Sequence, residues 1–302
     1  MWDLSIIVVN WNSRQFIRAC LNSIYSLPHD LTFECIVVDN HSSDGSCKII
    51  SKEFPAVQLI ENPANLGFAA ANNQGARAAA ARFLLFLNPD TLIHPGTLDG
   101  AVAFMEQHPD AGIMGCRTVH PDGTLQATAF TFPSKLRMFA YVSGLNRFFK
   151  LSRFRNHSVR RTPDYVQGSF LIISKDLFDD SGGFDERFFL YAEEVDLCMR
   201  VKAAGFTIYY NPAVSITHHG GGSGGNSFAA LGHYIRSSIS LYQHYRRPRE
   251  AQRLRQVMRV ALRGRVFLGL VFSSLNLGAK KMDFECLWHD LSAENNQNTL
   301  EK

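Results

Sequence analysis

No G-x-G-x-x-G or Walker sequence follows the N-terminal strands of this 302-residue chain, so dinucleotide dehydrogenases and P-loop NTPases lose most of their support. The six cysteines, Cys20, Cys35, Cys47, Cys116, Cys198 and Cys286, include no C-x-x-C pair and read as reduced thiols of a cytosolic protein. Val266 to Leu277 is apolar but falls far short of the ~20 residues that a membrane-spanning helix needs. The first strand begins directly after Met1, which leaves no room for a charged n-region, an apolar h-region and a cleavage site; the expectation is a chain that stays in the cytoplasm. Acids are nearly missing from one region. Arg236, Arg246, Arg247, Arg249, Arg253, Arg255, Arg259, Arg263 and Arg265 face only Glu250, so the net charge of +4 hides a strongly cationic C-terminal part. At 46% hydrophobic and 19% charged residues, the chain suits one large α/β domain with a smaller appendage.

The apolar runs that are present follow βαβ grammar. Leu4 to Val9 is rich in branched residues and reads as a buried parallel strand, interrupted by Asn10-Trp11-Asn12-Ser13. Phe16, Ile17, Cys20, Leu21 and Ile24 then share one helical face. Cys35 to Val38 is a second buried strand, ending in Asp39-Asn40. Ligands of such sheets bind beyond the carboxyl ends of the strands, which puts Asn10, Asn12, Asp39 and Asn40 on the candidate face; the same residue types also serve as turn punctuation. A third strand, Val57 to Ile60, leads through Asn65-Leu66-Gly67-Phe68 into an alanine-rich helix from Ala69 to Ala81. The fourth, Phe83 to Leu87, ends abruptly in Asn88-Pro89-Asp90. Pro89 breaks the ladder and delivers Asp90 just past the strand, where a carboxylate suits a hard cation held against a diphosphate.

Gly182 to Arg200 (GGFDERFFLYAEEVDLCMR) sets Asp185, Glu186, Glu193, Glu194 and Asp196 among Phe184, Phe188, Phe189, Leu190 and Tyr191. An apolar wall raises a carboxylate's pKa and shields it from water, as a general base in a water-avoiding transfer requires. Acids in a first turn also simply complement the dipole of a helix, here Ala192 to Ala204, and Asp196 and Arg200 are spaced to pair on one face.

SIIVVNWNS, VVDNHSSDGS, NLGFAAANNQG, FLLFLNPDT, GSFLIISKDLF, GGFDERFFLYAEEVDLCMR and THHGGGS, in this order and spacing, resemble the family 2 glycosyltransferases of the GT-A fold, and among them bacterial rhamnosyltransferases that build cell-surface polysaccharide. Each motif is loose; seven in order over residues 3 to 226 are specific. The resemblance implies a Rossmann-like α/β fold with a mostly parallel sheet, and an inverting, metal-dependent transfer from a nucleotide-sugar donor, dTDP-rhamnose, to a hydroxyl of a polyprenyl-diphosphate-linked saccharide. Carried over by position, Asn10, Asn12, Asp39, Asn65, Gly67, Asn72 and Asn88 would bind the nucleotide. Asn88-Pro89-Asp90 would stand for the family's Asp-x-Asp, with Asp90 holding Mg²⁺ or Mn²⁺ and His218 or His219 at the metal or the phosphates. Glycines 220 to 225 would fold over the diphosphate. Glu194 would be the base, with Glu193 or Asp196 able to share the role, because Glu193-Glu194 stands where relatives carry Glu-Asp. Ala71 stands where they often carry Gly.

The resemblance divides the chain into a transferase domain, residues 1–226, and a basic helical region, 227–302, with a polar tail from Ala293. Residues 117 to 165 interleave Lys135, Arg137, Arg147, Lys150, Arg153, Arg155, Arg160 and Arg161 with aromatics, and Asp122-Gly123 predicts a hairpin turn. Basic aromatic segments suit acceptor or membrane contact first and nucleic acid last, since no nucleic-acid motif accompanies them. Arginines beside a short apolar stretch indicate a helix lying on an anionic membrane, here the inner face of the cytoplasmic membrane; a helical hairpin packed on the domain is the plainer alternative. Another nucleotide sugar, a catalytically silent nucleotide-binding homologue and a nucleic-acid binder using the arginines remain as other readings.

Overall fold

The computed structural model describes residues 2–143, 158–220, 227–245 and 248–273, and of 227–230, 248 and 265–273 the backbone alone. In chain order the elements are β1 (Leu4–Asn10), α1 (Arg14–Tyr25), β2 (Phe33–Asp39), α2 (Ser46–Glu53), β3 (Gln58–Glu61), α3 (Phe68–Ala78), β4 (Phe83–Leu87), β5 (Thr91–Ile93) and α4 (Thr97–Gln107). There follow β6 (Ala111–Val119), β7 (Leu125–Gln126), β8 (Ala129–Phe130), α5 (Lys135–Val142), β9 (Tyr165–Val166), β10 (Phe170–Ser174), α6 (Lys175–Asp180), α7 (Glu193–Ala203), β11 (Thr207–His218), α8 (Ser227–Tyr245) and α9 (Pro248–Ser273).

Among the described residues one nine-stranded sheet runs in the order β3-β2-β1-β4-β10-β6-β11-β5, with β7 beside β6. β1, β2, β3, β4, β6 and β11 point one way, while β5, β7 and β10 run against them. The unbroken apolar strands follow from cover on both faces. Leu4, Ile6 and Val8 enter one core layer with Ile17, Cys20, Leu21 and Ile24 of α1, as the helical spacing predicts, and with α2 and α4. Ile7 and Val9 enter the other, with α3, α6 and α7. β3 closes the sheet edge, and its residues are only partly buried. The alanines of α3 let it approach closely: a Cβ on Gly75 would lie 2.5 Å from Ile7 Cγ2.

The chain divides into two compact units, Met1–Phe132 with Arg153–Gly225, and Pro133–Ser152 with Asn226–Lys302. The division differs from a single boundary at residue 226, because α5 goes with the C-terminal helices. Met138 and Val142 of α5 share a core with Leu231, Ile235 and Ile239 of α8 and Leu254 and Met258 of α9. Lys135 lies 3.5 Å from Glu250, and the Tyr242 hydroxyl donates to Pro133 O at 3.0 Å. Pairing across ninety residues leaves no mark in local periodicity. Among the described residues no helix is long and apolar enough to cross a membrane. Residues 144–157, glycines 221, 222, 224 and 225, Arg246, Arg247 and the tail from 274, all of which carry expectations above, lie outside the described residues.

The close approach of α3 yields a test. Gly75→Val should lower the stability of the first unit by about 1–3 kcal/mol, the usual cost of overpacking, read as a shifted denaturant midpoint with unchanged slope.

Candidate active site

Parallel β1, β2, β4 and β11 end on one edge of the sheet, where antiparallel β10 begins. β4 stops at Pro89, and β5 then pairs with the end of β11 so that Thr91 faces His218. That register sets His218 Nε2 3.2 Å from Asp90 Oδ1, with both side chains almost fully buried. The other ring nitrogen, Nδ1, meets Gln126 Oε1 at 2.9 Å. An amide oxygen only accepts, so this hydrogen bond assigns a hydrogen to Nδ1, and in the neutral ring Nε2 offers its lone pair. Asn88 Nδ2 lies 3.4 Å from the same Nε2. A carboxylate oxygen and an imidazole nitrogen thus converge where a cation or a proton reconciles them, and the residues fit a divalent ion. No group of three His, Cys, Asp or Glu gathers among the described residues, so the remaining positions would fall to phosphates and water, as Mg²⁺-type sites often arrange. His219 donates its backbone N–H to Asp90 O at 3.0 Å, but its ring packs at a tilt against Phe16 with centroids 5.1 Å apart. Of the two histidines, only His218 has its ring at the Asp90 carboxylate.

The residues expected at the nucleotide form a buried lattice. Asn10 Nδ2 donates to Asp39 Oδ1 at 2.5 Å and to Ser46 Oγ at 2.8 Å, while Asn10 Oδ1 accepts from the Ser13 hydroxyl. Asp39 Oδ2 accepts from Ser42 N at 2.8 Å. Asn10 and Asp39 are nearly inaccessible. Exposed Asn12 accepts from Ser43 N at 2.9 Å, pinning the turn after β1 to the turn after β2. Asn40 Nδ2 donates to Gly67 O at 3.0 Å, Asn65 Oδ1 accepts from Gly67 N at 3.0 Å, and buried Asn72 turns back onto Phe68 O at 3.0 Å. These side chains shape the edge, and Asn12 and Leu66 are the parts of it most open to solvent.

The acid-rich segment arrives at the same edge, because α7 precedes β11 and so starts where β11 ends. Phe184 and Phe188 are buried, and Phe184 packs edge-on to Phe86 with centroids 4.8 Å apart, the apolar wall that the sequence suggests. Tyr191 and Ala192 both hold left-handed backbone, φ +67° and +74°, immediately before the helix. Such non-glycine conformations cost of order 1–3 kcal/mol each and gather at functional sites. Glu193 and Glu194 open α7. One oxygen of each, Oε2, is buried without a hydrogen-bond partner. Burial, the neighbouring Glu194 charge and a hydrogen bond to Glu194 push Glu193 well above the ordinary carboxyl range. Burial also raises Glu194, which the hydrogen bond from Glu193 partly offsets. Burial thus favours the protonated form at both carboxyls, with Glu193 pushed up by its neighbour's charge as well. Glu194 is the more exposed of the two, and its Cβ would be 3.9 Å from a Cβ on Gly168 at the start of β10. Asp196 points elsewhere: its Oδ2 accepts from Arg200 Nε at 2.8 Å and Nη2 at 2.6 Å, the helix-face pairing that its spacing offered as the plainer alternative.

Two surface cavities, of about 670 and 610 Å³, are lined by none of Asp90, His218, Glu193 and Glu194. Asn12 borders the second of them, and the other expected site residues lie on the sheet edge outside both. Residues 5–182, which carry the polar carboxyl ends of β1 and β2 and the acid after β4 but stop short of the acid pair, are matched by the family model "Glycosyl transferase family 2". The chain belongs to glycosyl transferase family 2. It is similar to the N-acetylglucosaminyl-diphospho-decaprenol L-rhamnosyltransferase of Mycobacterium tuberculosis, 29% identical over 234 residues that cover 72% of this chain and 76% of that protein. The rhamnosyltransferase WbbL of Escherichia coli K12 is 26% identical over 223 residues, 71% of this chain and 82% of that one. In fold the chain is similar to the mannosyltransferase PcManGT of Pyrobaculum calidifontis, solved with GDP-Man and Mn²⁺, with TM-score 0.57 and 16% identity over 100% of this chain and 83% of that one. GalNAc-T7, solved with UDP, GalNAc and Mn²⁺, gives TM-score 0.59 and 13% identity over 80% of this chain and 48% of that one. The fold is GT-A.

Three residues were given no role by the motif reading, although Gly168 and Asn73 stand inside two of the quoted motifs. Gln126 comes from the hairpin predicted at Asp122-Gly123, yet nothing in the sequence says that β7 ends against His218. Gly168 is one of 22 glycines. Asn73 had a signal: with Ala69 and Ala76 it lies on the buried stripe of α3, where an amide needs a partner. The Asn10 lattice has a direct consequence for stability. Asn10→Ala should cost about 2 kcal/mol or more, since Asp39 and the serines lose a buried partner, and urea unfolding should show it.

Proposed function

We propose that this family 2 glycosyltransferase moves a hexose, L-rhamnose from dTDP-rhamnose, with inversion onto a hydroxyl of a polyprenyl-diphosphate-linked saccharide in bacterial surface-polysaccharide (O-antigen-type) synthesis. The observation that carries the reaction type is the dry carboxyl pair at the start of α7, on the sheet edge that also holds Asp90 and His218. The mycobacterial relative, named an L-rhamnosyltransferase, and the E. coli relative, named a rhamnosyltransferase, support the sugar, and the diphospho-decaprenol in the former's name supports the acceptor class.

Glu194 takes the proton of the acceptor hydroxyl as that oxygen attacks the anomeric carbon. Glu193, keeping its own proton, donates to Glu194 and fixes the oxygen that must face the acceptor. Asp196 serves as a holder of Arg200. A divalent cation at Asp90 and His218 would neutralise charge on the departing nucleoside diphosphate. Gln126 aims the His218 lone pair, and the Asn10–Asp39 lattice and the Asn65–Phe68 turn shape the nucleotide side.

The protein works at the inner face of the cytoplasmic membrane, as a peripheral protein. In the second unit Leu136 is 67% and Val260 60% exposed, and Arg249, Arg253 and Arg263 are exposed along α9. Arginines near an anionic leaflet contribute about 1 kcal/mol each. Full-length protein should therefore sediment with vesicles containing anionic lipid, release as salt rises and ignore neutral vesicles; indifference to anionic vesicles at low salt refutes the membrane contact.

Glu194→Gln should leave donor affinity near wild type and lower turnover about 100-fold or more, with Glu193→Gln costing less. The reverse ranking would make Glu193 the base. The pH profile separates their roles. Both carboxyls are raised, so activity should fall on the acid side above the ordinary glutamate range, as Glu194 becomes protonated. Glu193→Leu removes the hydrogen bond that lowers Glu194, so this limb should move to higher pH, whereas Glu193→Gln, which keeps a donor, should leave it in place. For the metal, Asp90→Asn should abolish the Mn²⁺- or Mg²⁺-dependent part of nucleoside diphosphate binding in calorimetry. Product identification by mass spectrometry from a set of nucleotide sugars tests the donor.

A further inference from the structure

Asn73 does not spend its amide on its own helix. Its Oδ1 accepts from Phe184 N at 2.8 Å and its Nδ2 donates to Phe184 O at 2.8 Å, gripping the backbone as a neighbouring strand would. Nδ2 also donates to Glu186 Oε1 at 3.0 Å. The gripped chain is shaped for the contact. Gly183 holds φ +71°, and a Cβ there would lie 2.8 Å from Asn73 Oδ1, so only glycine leaves room for the amide.

Phe184 begins the loop that ends at the acid pair, and the far part of that loop is held by the same helix. Phe68 N, in the first turn of α3, donates to Phe189 O at 2.7 Å, and a Cβ on Gly67 would lie 2.6 Å from that oxygen. Between Phe189 and Glu193 lie only Leu190 and the left-handed Tyr191 and Ala192. From α7 itself, Arg200 donates to Ser181 O and, at 2.8 Å, to Gly183 O, while Asp196 holds the guanidinium. Two consecutive left-handed non-glycine residues persist only where their surroundings over-determine them. The supply of that constraint from α3 is the Asn73 grip at one end of the loop and the Gly67-Phe68 contact at the other.

We propose that Asn73 is a positioning residue for the acid pair: by gripping Phe184 through the gap left at Gly183, it sets the path of the loop that aims Glu193 and Glu194. The proposal rests on the transferase reading for the consequence in turnover, and on the structure alone for the grip. A misplacement of about 1 Å can cost about 100-fold in rate, whereas Asn10 and Asp39 on the nucleotide side take their hydrogen bonds from each other, from α2 and from the turn after β2, away from the Asn73 grip.

The experiment compares Asn73→Ala, Asn73→Asp, Gly183→Ala and the double variant Asn73→Ala/Gly183→Ala with wild type. Asn73→Asp keeps the shape and one acceptor but sets an oxygen against Phe184 O and Glu186. Each single variant should lower kcat roughly 10- to 100-fold while donor KM stays within about twofold, and the double should be little worse than either single, since both break one contact. Ile24→Val, a core change on α1 away from the loop, serves as the stability control. If the Asn73 variants lose melting temperature as the control does and keep wild-type kcat, the positioning role is overturned. A second readout does not need activity: ¹³C NMR titration of the Glu193 and Glu194 carboxyls, whose midpoints should fall toward the ordinary range in Asn73→Ala as water enters. If wild type transfers no sugar, the functional reading fails while this titration still decides the grip, and unchanged midpoints would reject it.

Discussion

The desolvation of two adjacent carboxyl groups is the constraint that the rest of the functional edge serves. Glu193 and Glu194 sit side by side with an unpartnered oxygen each, an arrangement that water would relieve at once. Three features keep it in place. The aromatic cluster of Phe86, Phe178 and Phe184 backs the loop, the start of α7 favours negative charge in its first turn, and hydrogen bonds from α3 and Arg200 fix the backbone that leads in. The left-handed pair Tyr191-Ala192 records what this fixing costs locally. A base held dry and aimed suits a transfer whose competing reaction is hydrolysis.

The opposite pole of the edge answers to a different logic. Asp90 Oδ1 and His218 Nε2 lie 3.2 Å apart and Gln126 meets the other ring nitrogen, an arrangement whose chemistry suits positive charge. The acid pair is built to receive a proton. Both depend on the same topology, because six strands that point one way bring their ends, and the start of the helix before the last of them, to one side of the sheet. The Asn10–Asp39 lattice holds the two N-terminal strands there without exposing either side chain, so it reads as support for a nucleotide site.

How much was legible can be judged residue by residue. Phe83–Leu87 is the strand that its apolar run and Pro89 predict, and the helix after Ala192 starts within one residue of its expected place. The resemblance placed Asp90 and the acid pair among the site residues, and the structure buries Asp90 and Glu193 and desolvates Glu194. Asp196 was ambiguous in sequence because i,i+4 spacing to Arg200 and nearness to the acid pair coexist, and the ion pair decides it. Asn73 and Gln126 were passed over because their partners lie 111 and 92 residues away.

The sequence by itself determined the first four strands, α1, α3 and α7, their order, the family and the identity of the acids, since these follow from local periodicity, from turn chemistry and from motifs whose residues are neighbours in the chain. Tertiary structure alone decided which histidine meets Asp90, that both glutamates are desolvated, that Asn73 grips Phe184 and that α5 joins the C-terminal helices. Those outcomes depend on strand register, on burial and on contacts between distant segments, and a linear pattern does not encode which of two adjacent side chains will face inward once the sheet has formed.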